Sequence, residues 1–296
     1  MSDLSGYTPE RTDWGRLALR WGLFAILGLF ALWYLAPLFV MLTTSVKTLE
    51  EIRTGSLIAL PREITFEPWA KAWSQACSGI TCEGLRPYFF NSILLAVPSV
   101  AISTVIGALN GYVIAQWRFR GADTVFALLL FGCFIPFQVV LLPMAKMLGL
   151  LGLAGTIPGL MLVHVVYGIG FTTLFFRNFY VTIPADLLKA AKVDGAGFLR
   201  IFVSIFLPLS VPIVVVSIIW QFTQIWNDFL FGVSFSSAGS QPVTVALNNI
   251  VNSTTGVKEY NVDMAAAIIA ALPTLLVYVV AGKYFIRGLT AGSVKG

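Results

Sequence analysis

The stretch from Pro87 to Trp117, PYFFNSILLAVPSVAISTVIGALNGYVIAQW, contains no charged residue. A helix that crosses a lipid bilayer needs about 20 consecutive, mostly apolar residues. This stretch is longer than that and rich in Val, Ile, Leu and Ala. It therefore predicts a membrane-spanning helix, and it sets the question of how many more such helices the chain has.

Five further long, charge-free runs lie around this stretch: Trp21–Val46, Thr124–Ala145, Met147–Phe176, Ile201–Asn227 and Met264–Gly282. The whole chain agrees with a membrane protein, since 57% of its residues are hydrophobic and 11% are charged, against roughly a quarter charged in soluble domains. We predict an all-α, polytopic membrane protein with six transmembrane helices. Six prolines in these runs are expected to bend spans or begin helices: Pro136, Pro143, Pro158, Pro208, Pro212 and Pro273.

Two charge-free runs need separate treatment. Phe229–Val257 is rich in Ser, Asn and Thr, whose burial in lipid is costly, and we interpret it as a polar loop. The first run, Trp21–Val46, is longer than the apolar core of a signal peptide and no A-x-A site follows it. We therefore expect it to remain as a span.

The distribution of Lys and Arg predicts the orientation. With the N-terminus inside, twelve of the 19 basic residues lie on the cytoplasmic side and seven on the other, as the positive-inside rule expects. We predict a cytoplasmic N-terminus over residues 1–20, a membrane domain over 21–285 and a cytoplasmic tail over 286–296. The pI of about 9.2 follows from this asymmetry and implies no nucleic-acid partner.

The cysteines and the single histidine offer little chemistry. Cys77 and Cys82 share the first outer loop, where an oxidising compartment favours a disulfide over two free thiols. Cys133 is expected to be a small buried apolar residue. His164, in the fourth span, has no ionisable companion in its own run and is expected to pack or to line a cavity rather than relay protons.

Several activities are excluded by missing motifs. No phosphate-binding G-x-x-x-x-G-K-[ST] loop is present, so the chain cannot hydrolyse ATP by itself. No hydrolase motif and no metal-ligand cluster is present either, and the spans hold few titratable groups, which disfavours a proton-driven carrier. We predict a non-enzymatic chain without a cofactor or metal of its own.

The segment between the fourth and fifth spans reads IPADLLKAAKVDGA, from Ile183 to Ala196. Pro184 suits the start of a helix, and Asp186 lies near the positive end of its dipole. Gly195 can adopt the left-handed conformation that ends helices. We predict a short cytoplasmic helix within residues 183–200, a glycine turn and a second helix that runs into the fifth span, with Ala190 and Ala191 allowing a partner surface to approach.

This segment resembles the EAA motif of binding-protein-dependent ABC importer permeases, EAA-x3-G-x9-I-x-LP, with Gly195, Ile205, Leu207 and Pro208 at the matching spacing. Other stretches are similar to the carbohydrate-uptake branch of that family, of the maltose-transporter type: Arg118–Gly121, Ile135–Gln138, Leu151–Leu153, Trp226–Phe229 and the tail Gly288–Gly296. The stretch Cys77–Asn91 is similar to glucose- or mannose-type permeases of this branch.

The resemblance implies a type I ABC importer permease that pairs with a second, related permease in the membrane lipid. It also implies a cytoplasmic ATPase dimer, which binds ATP and Mg, and an extracytoplasmic sugar-binding protein. The residues that would couple to the ATPase are Asp186, Leu187, Lys189, Ala190, Ala191, Asp194 and Gly195, and the tail residues near the ATPase are Ser293, Val294, Lys295 and Gly296. The segment Ser234–Val262 would contact the binding protein.

Lys189 departs from the motif, which has Glu at that position. The ion pair that this Glu usually makes with the ATPase therefore cannot form in the same way here. Trp226, Asn227 and Asp228 are candidate pathway residues. Trp226 is either an interfacial anchor or a pathway residue, and Asp228 is either a sugar-contacting or gating group or a solvated anion at the membrane edge. The alternatives to a sugar importer permease are a non-transporting membrane scaffold or receptor subunit and a secondary carrier.

Overall fold

The computed structural model of this chain describes residues 14–79, 81–117, 119–253 and 257–291. Within these residues all the named elements are helical: α1 (Trp14–Ser45), α2 (Leu49–Thr54), α3 (Glu67–Ser74), α4 (Arg86–Gln116), α5 (Ala122–Cys133), α6 (Phe137–Leu150), α7 (Ile157–Tyr180), α8 (Ala185–Val193), α9 (Phe198–Ile201), a π-helical turn (Phe202–Phe206), α10 (Leu207–Leu209), α11 (Val211–Trp226), α12 (Leu230–Phe235), α13 (Val243–Val251) and α14 (Tyr260–Ala291).

Four helices in the described ranges, α1, α4, α7 and α14, are long and apolar enough to cross a membrane. Two bent pairs, α5 with α6 and α9–α10 with α11, bring the number to six when each pair counts as one span. The all-helical polytopic fold predicted from the sequence is confirmed. Residue by residue, however, the third, fourth and fifth spans differ from the charge-free runs.

The third and fifth spans are interrupted where prolines lie. α5 and α6 meet at 100° before Pro136, and the segment Phe198–Leu209 meets α11 at 77° around Ser210, before Pro212. Ile135, which precedes Pro136, lies outside the helices, as expected for a residue before proline. Pro212 has no N–H and cannot continue the hydrogen-bond ladder of the preceding helix. The expectation that these prolines bend spans or begin helices is confirmed at both breaks.

The fourth span is shorter than the predicted run Met147–Phe176. α6 continues to Leu150, and α7 begins only at Ile157. Between them Gly152 and Gly155 adopt positive φ angles of 67° and 71°, which make the turn. A charge-free run shows which residues can lie in the membrane, but it does not show at which residue the helix begins.

The interpretation of Phe229–Val257 as a polar loop is wrong in part. The segment forms α12 and α13, and their apolar residues Phe231, Phe235, Val243 and Ile250 are buried. Several of its hydroxyl groups find partners within the protein: Ser240 Oγ donates to the Gly155 carbonyl at 2.8 Å, and Thr244 Oγ1 donates to the Asp228 carbonyl at 2.6 Å. Part of the polar composition therefore reflects hydrogen bonding within the protein and not exposure to water.

α4 and α7 form the centre of the fold because two glycines let them approach closely. A Cβ added at Gly107 would lie 2.3 Å from Thr172 Oγ1, and one added at Gly111 would lie 2.6 Å from Phe176 Cβ. The spacing of these glycines is the small-residue pattern that brings membrane helices into contact. Thr172 Oγ1 uses the proximity to donate a hydrogen bond to the Ser103 carbonyl at 2.9 Å.

Two buried apolar clusters lie at opposite ends of α4. The first includes Leu95 of α4 and packs α3, α7, α12, α13 and α14 together. The second includes Tyr112 of α4 and joins α7, α8 and the π-helical turn. α4 is about 46 Å long at 1.5 Å per residue, so the two clusters lie far apart along it. Each cluster contains or borders one candidate site.

Candidate functional sites

The segment Ile183–Ala196 forms the predicted short helix, α8, and ends as the sequence indicates. Gly195 has φ of +74°. Its N–H donates to the Lys192 carbonyl at 3.1 Å, and the N–H of Ala196 donates to the Ala191 carbonyl at 2.9 Å. These two bonds are the Schellman arrangement, which satisfies the last carbonyls of a helix. The prediction of a left-handed glycine turn after α8 is confirmed.

α8 has one face against the chain and one face open. Leu188 and Ala191 are buried in the second cluster, whereas Asp186, Lys189 and Ala190 are exposed. The expectation that both alanines leave room for a partner surface is wrong for Ala191, which lies against the chain's own core. A helix turns by about 100° per residue, so Ala190 and Ala191 point in different directions, and only Ala191 points toward the core.

Lys189 is paired within its own helix. Its Nζ lies 2.9 Å from Asp186 Oδ1, and both side chains are largely exposed. Such a surface pair one helical turn apart contributes about 0.2–0.5 kcal/mol. It therefore leaves Lys189 free to exchange Asp186 for a partner from another chain at low cost.

Aromatic side chains tie α8 to the ends of the spans. The ring of Tyr112 lies 4.8 Å from the ring of Phe206, centroid to centroid, and 5.1 Å from that of Phe198. Lys192 Nζ lies 4.3 Å from the centre of the Trp117 ring, a cation–π contact. Displacement of α8 would therefore be transmitted to the α4 end and to the helix that leads into α11.

A hydrogen-bonded hydroxyl pair lies at the bend of the fifth span. Ser210 Oγ donates to Tyr180 Oη at 2.8 Å, and Gln116 Nε2 donates to the Tyr180 carbonyl at 2.7 Å. The π-helical turn Phe202–Phe206 directly precedes this bend. π-Turns are frequent at functional sites, and here hydrogen bonds through Tyr180 connect α4, α7 and the bend.

Trp226, one of the candidate pathway residues, is not an interfacial anchor. Its side chain is 2% exposed, and its Nε1 donates to the Ala270 carbonyl at 2.8 Å. Its ring stacks on Phe222 at 5.4 Å. Trp226 therefore packs α11 against α14 in the first cluster, while its neighbour Asn227 is exposed.

Asp228 is not a solvated anion at the membrane edge. Its side chain is 16% exposed, and its Oδ2 lies 3.7 Å from His164 Nε2. The carboxylate also accepts hydrogen bonds from the backbone N–H groups of Gly232, at 3.0 Å, and Phe231, at 3.3 Å. The fold thus gives His164 the ionisable companion that its own span lacks.

His164 and Asp228 lie in the wall of a cavity of about 160 Å³. The cavity is bordered by α5, α6, α7, α11 and α12, and its lining is aromatic apart from a few polar groups. Its lining residues are Cys133, Phe137, His164, Tyr167, Gly168, Phe171, Trp220, Gln221, Gln224, Ile225, Asp228 and Phe231. Of the three candidate pathway residues, only Asp228 belongs to it.

Sequence reasoning missed most of this cavity. Gln221 and Gln224 are amides within the charge-free fifth run, and Trp220 lies beside them. Polar side chains inside a membrane span are expected to face the protein interior or a cavity, and that signal could have identified them. Cys133, expected to be buried, is partly exposed in the cavity wall.

Of the two other predicted sites, the structure describes the cysteine pair but not the C-terminal tail. The structure joins Cys77 and Cys82 in a disulfide, beside an antiparallel bridge between Ser78 and Thr81. The tail residues Ser293, Val294, Lys295 and Gly296 lie outside the described residues.

Comparison with known proteins identifies the family to which this chain belongs. The family described as the binding-protein-dependent transport system inner membrane component matches residues 10–290. The chain belongs to this family of ABC importer permeases, as the EAA-type motif predicted. It is therefore an inner-membrane transport subunit and not an enzyme.

Among its relatives, a probable ABC transporter permease of Pyrococcus horikoshii is 40% identical over 94% of this chain and 98% of that protein. The xylose/arabinose import permease of Haloferax volcanii is 31% identical over 90% of each chain. A permease chain from the crystal structure of a bacterial ABC transporter that imports the acidic polysaccharide alginate superposes with a TM-score of 0.79 at 22% identity, covering 94% of this chain and 100% of that one. This likeness shows the shared fold.

Proposed function

We propose that this chain is one of two permease subunits of an ATP-driven sugar importer and that α8 couples it to a cytoplasmic ATPase. The observation that carries the proposal is the construction of α8. Its exposed face, with Asp186, Lys189 and Ala190, is available to another chain, while its buried face is fixed to α4, α7 and the π-helical turn. An ATPase that displaces α8 would therefore move the spans.

The coupling works as a transition between two packed arrangements. ATP and Mg bind to the ATPase dimer and not to this chain, and closure of that dimer carries α8 with it. Because Tyr112 and Tyr180 connect α8 to both long central helices and to the bend at Ser210, a rigid-body movement of α8 changes the angle at that bend. Such bistable packing converts a local displacement into alternating access.

Sugar is the proposed cargo. Two relatives are named for the sugars that they import: the xylose/arabinose import permease of Haloferax volcanii and the melibiose/raffinose/stachyose import permease MelC of Bacillus subtilis. The similarity of Cys77–Asn91 to glucose- or mannose-type permeases makes these two sugars the first to test.

The proposed partners are a second, related permease, the ATPase dimer and an extracytoplasmic sugar-binding protein. α1 presents exposed apolar side chains such as Trp33 and Tyr34, which suit lipid and the second permease. A solved neighbour is a bacterial alginate ABC transporter in complex with a periplasmic protein bound to alginate pentasaccharide, which supports a binding protein as partner here. We place its contact on Ser234–Val262 and place both termini in the cytoplasm.

Site-specific crosslinking tests orientation and partners together. A photocrosslinker at Asn248, which is exposed on α13, should capture the binding protein, and one at Lys189 should capture the ATPase. Capture of the ATPase from Asn248, or of the binding protein from Lys189, would reverse the proposed orientation.

Reconstitution tests the function itself. Proteoliposomes with the complete complex should take up labelled sugar only with ATP inside and with this chain present. Uptake that continues when the Walker lysine of the ATPase is replaced would indicate a secondary carrier. Uptake that is unchanged when this chain is omitted would indicate a scaffold.

A further inference from the structure

The short helix α3 packs against the starts of two spans, α4 and α14. Ala72 of α3 is fully buried and belongs to the first apolar cluster together with Val262 and Ala266 of α14. On the same helix, the ring of Trp73 lies 5.5 Å from the ring of Phe89 in α4. α3 therefore connects two spans that are far apart in the sequence.

The connection from α3 to α4 folds back onto α3. The N–H of Leu85 donates to the Ala72 carbonyl at 2.9 Å, and the N–H of Gly84 donates to the Ala76 carbonyl at 3.0 Å. Gly84 has a φ of +66°, and a Cβ there would lie 2.3 Å from the backbone carbonyl of Trp73. Glycine permits both the positive φ and the close approach. α4 therefore begins directly beside α3.

The disulfide between Cys77 and Cys82 closes this connection. Inside the ring that it forms, the N–H of Ser78 donates to the Thr81 carbonyl at 2.8 Å. The hydroxyl groups of Thr81 and Tyr88, the latter in the first turn of α4, share a hydrogen bond of 3.2 Å. A crosslink across so short a loop adds little to global stability. Its effect is local, because it keeps the corner between α3 and α4 in one shape.

Ion pairs fix the other side of α3 to the start of α14. Lys71 Nζ lies 2.5 Å from Glu259 Oε2, and Lys258 Nζ lies 2.8 Å from Asp263 Oδ2. Lys258 also donates to the Val251 carbonyl at the end of α13. The four charged side chains line one cleft of about 250 Å³. Isolated surface ion pairs contribute little, whereas pairs within a network contribute more, so α3, α13 and α14 are held together here.

α4 extends from this corner to the surroundings of α8. It is one continuous helix from Arg86 to Gln116, and Tyr112 near its far end packs against Phe198 and Phe206 beside α8. At the other end of the path, Glu259 lies in the segment Ser234–Val262, which we propose as the contact of the binding protein. Contacts thus run from that segment through α3 and α4 to α8.

We infer that residues 67–85, which comprise α3 and its disulfide-closed corner, are a strut that transmits docking of the binding protein from the start of α14 to α4. Lys71 and Glu259 are positioning residues of this strut, and Cys77 and Cys82 maintain its shape. The inference rests on the proposed function as a binding-protein-dependent importer and adds the path by which docking reaches α8.

A strut and a contact surface have different effects on ATP hydrolysis stimulated by the binding protein, here called receptor-stimulated hydrolysis. A residue that touches the binding protein changes the concentration of binding protein that gives half the maximal rate. A residue that transmits the docked state changes the maximal rate at saturating binding protein. The two constants, measured on the complete complex in proteoliposomes, separate the two roles.

Charge reversal tests the ion pair of the strut. Lys71→Glu places two acids opposite each other and should lower the maximal receptor-stimulated rate about twofold or more, as expected from coupling between contacting residues. The half-maximal concentration of binding protein should stay the same. The double exchange of Lys71→Glu with Glu259→Lys restores opposite charges and should recover most of the maximal rate.

Lys146→Glu is the matched control. Lys146 is an exposed lysine on α6 and makes no ion pair within the described part of the chain, so the maximal rate should not change. An equal loss in Lys146→Glu, or no recovery in the double exchange, would overturn the inference. Absence of any stimulation of the original complex by its binding protein would instead refute the proposed function.

Replacing Cys77 and Cys82 together with Ser tests the corner without a change of charge. Hydrogen exchange at the N–H groups of Gly84 and Leu85 should accelerate, and the maximal receptor-stimulated rate should again fall about twofold or more. An unchanged maximal rate would overturn the role of the corner in transmission, whatever the exchange rates. Loss of assembly both here and in Lys71→Glu would show that the strut serves folding alone, and this result would also overturn the inference.

Discussion

Replacing Ala191 with Leu should release α8 from the spans, whereas the same change at Ala190 should not. Ala191 is 7% exposed and lies in one cluster with Tyr112, Phe176 and Tyr180. An added isopropyl group has no space there, and overpacking of this kind costs about 1–3 kcal/mol. That range corresponds to a shift of about 5- to 150-fold between docked and displaced α8.

Ala190→Leu places the same group on the exposed face. Surface substitutions of this kind usually change stability by less than about 0.5 kcal/mol, so α8 should stay docked on its own chain. The added bulk would instead meet the ATPase. We expect normal behaviour of the permease pair alone and weaker assembly with the ATPase.

Hydrogen exchange of the α8 backbone, measured on the permease pair without ATPase, separates the two effects. Exchange should accelerate about 5- to 150-fold in Ala191→Leu and stay near the original rate in Ala190→Leu. Sugar uptake and ATP hydrolysis in the complete complex should fall in both. Equal exchange rates in the two variants would refute the assignment of the two faces of α8.

Three further predictions concern other parts of the chain. Cys77 and Cys82 should be oxidised in the mature protein and resist alkylation without reductant, and mass spectrometry that finds both thiols alkylated would contradict this. Replacing them with Ser should lower the local stability by at most about 2 kcal/mol, because the loop that the disulfide closes is short. Gly111→Val should separate α4 from α7, because the new Cβ would lie 2.6 Å from an atom of α7; a lower unfolding temperature of the purified permease checks it, and an unchanged one would exclude the close contact. Lys189→Glu should place a second acid one turn from Asp186, with a loss within α8 of only about 0.2–0.5 kcal/mol. A larger fall in receptor-stimulated ATP hydrolysis, partly restored by an acidic-to-basic change in the ATPase groove, would locate the partner of Lys189, and unchanged rates and assembly would remove α8 from the coupling path.

Much of the framework follows from local physics that a sequence displays directly. Charge-free length predicts the spans at Trp21–Val46 and Pro87–Trp117, because lipid excludes charge wherever the helix lies. The turn at Gly195 is predictable for the same kind of reason, since glycine adopts a positive φ without steric penalty. The proline breaks before α6 and α11 also depend only on neighbouring residues.

The cavity that contains His164 and Asp228 depends on contacts between residues far apart in the chain. His164 and Asp228 lie on separate elements, and α12 brings the carboxylate to the imidazole. The run Phe229–Val257 looked like a solvated loop because composition counts polar side chains but does not show their partners, such as the Asp228 carbonyl for the Thr244 hydroxyl.

The sequence by itself determined that this chain spans the membrane and presents a short helix ending at Gly195, because hydrophobic length and glycine geometry are properties of adjacent residues. The tertiary structure alone decided that Ala191 faces inward, that Trp226 is packed against α14 and that Gln221 opens onto a cavity. These outcomes depend on how far α4, α7 and α11 can approach one another, and that distance is set by side chains from distant parts of the chain packing together.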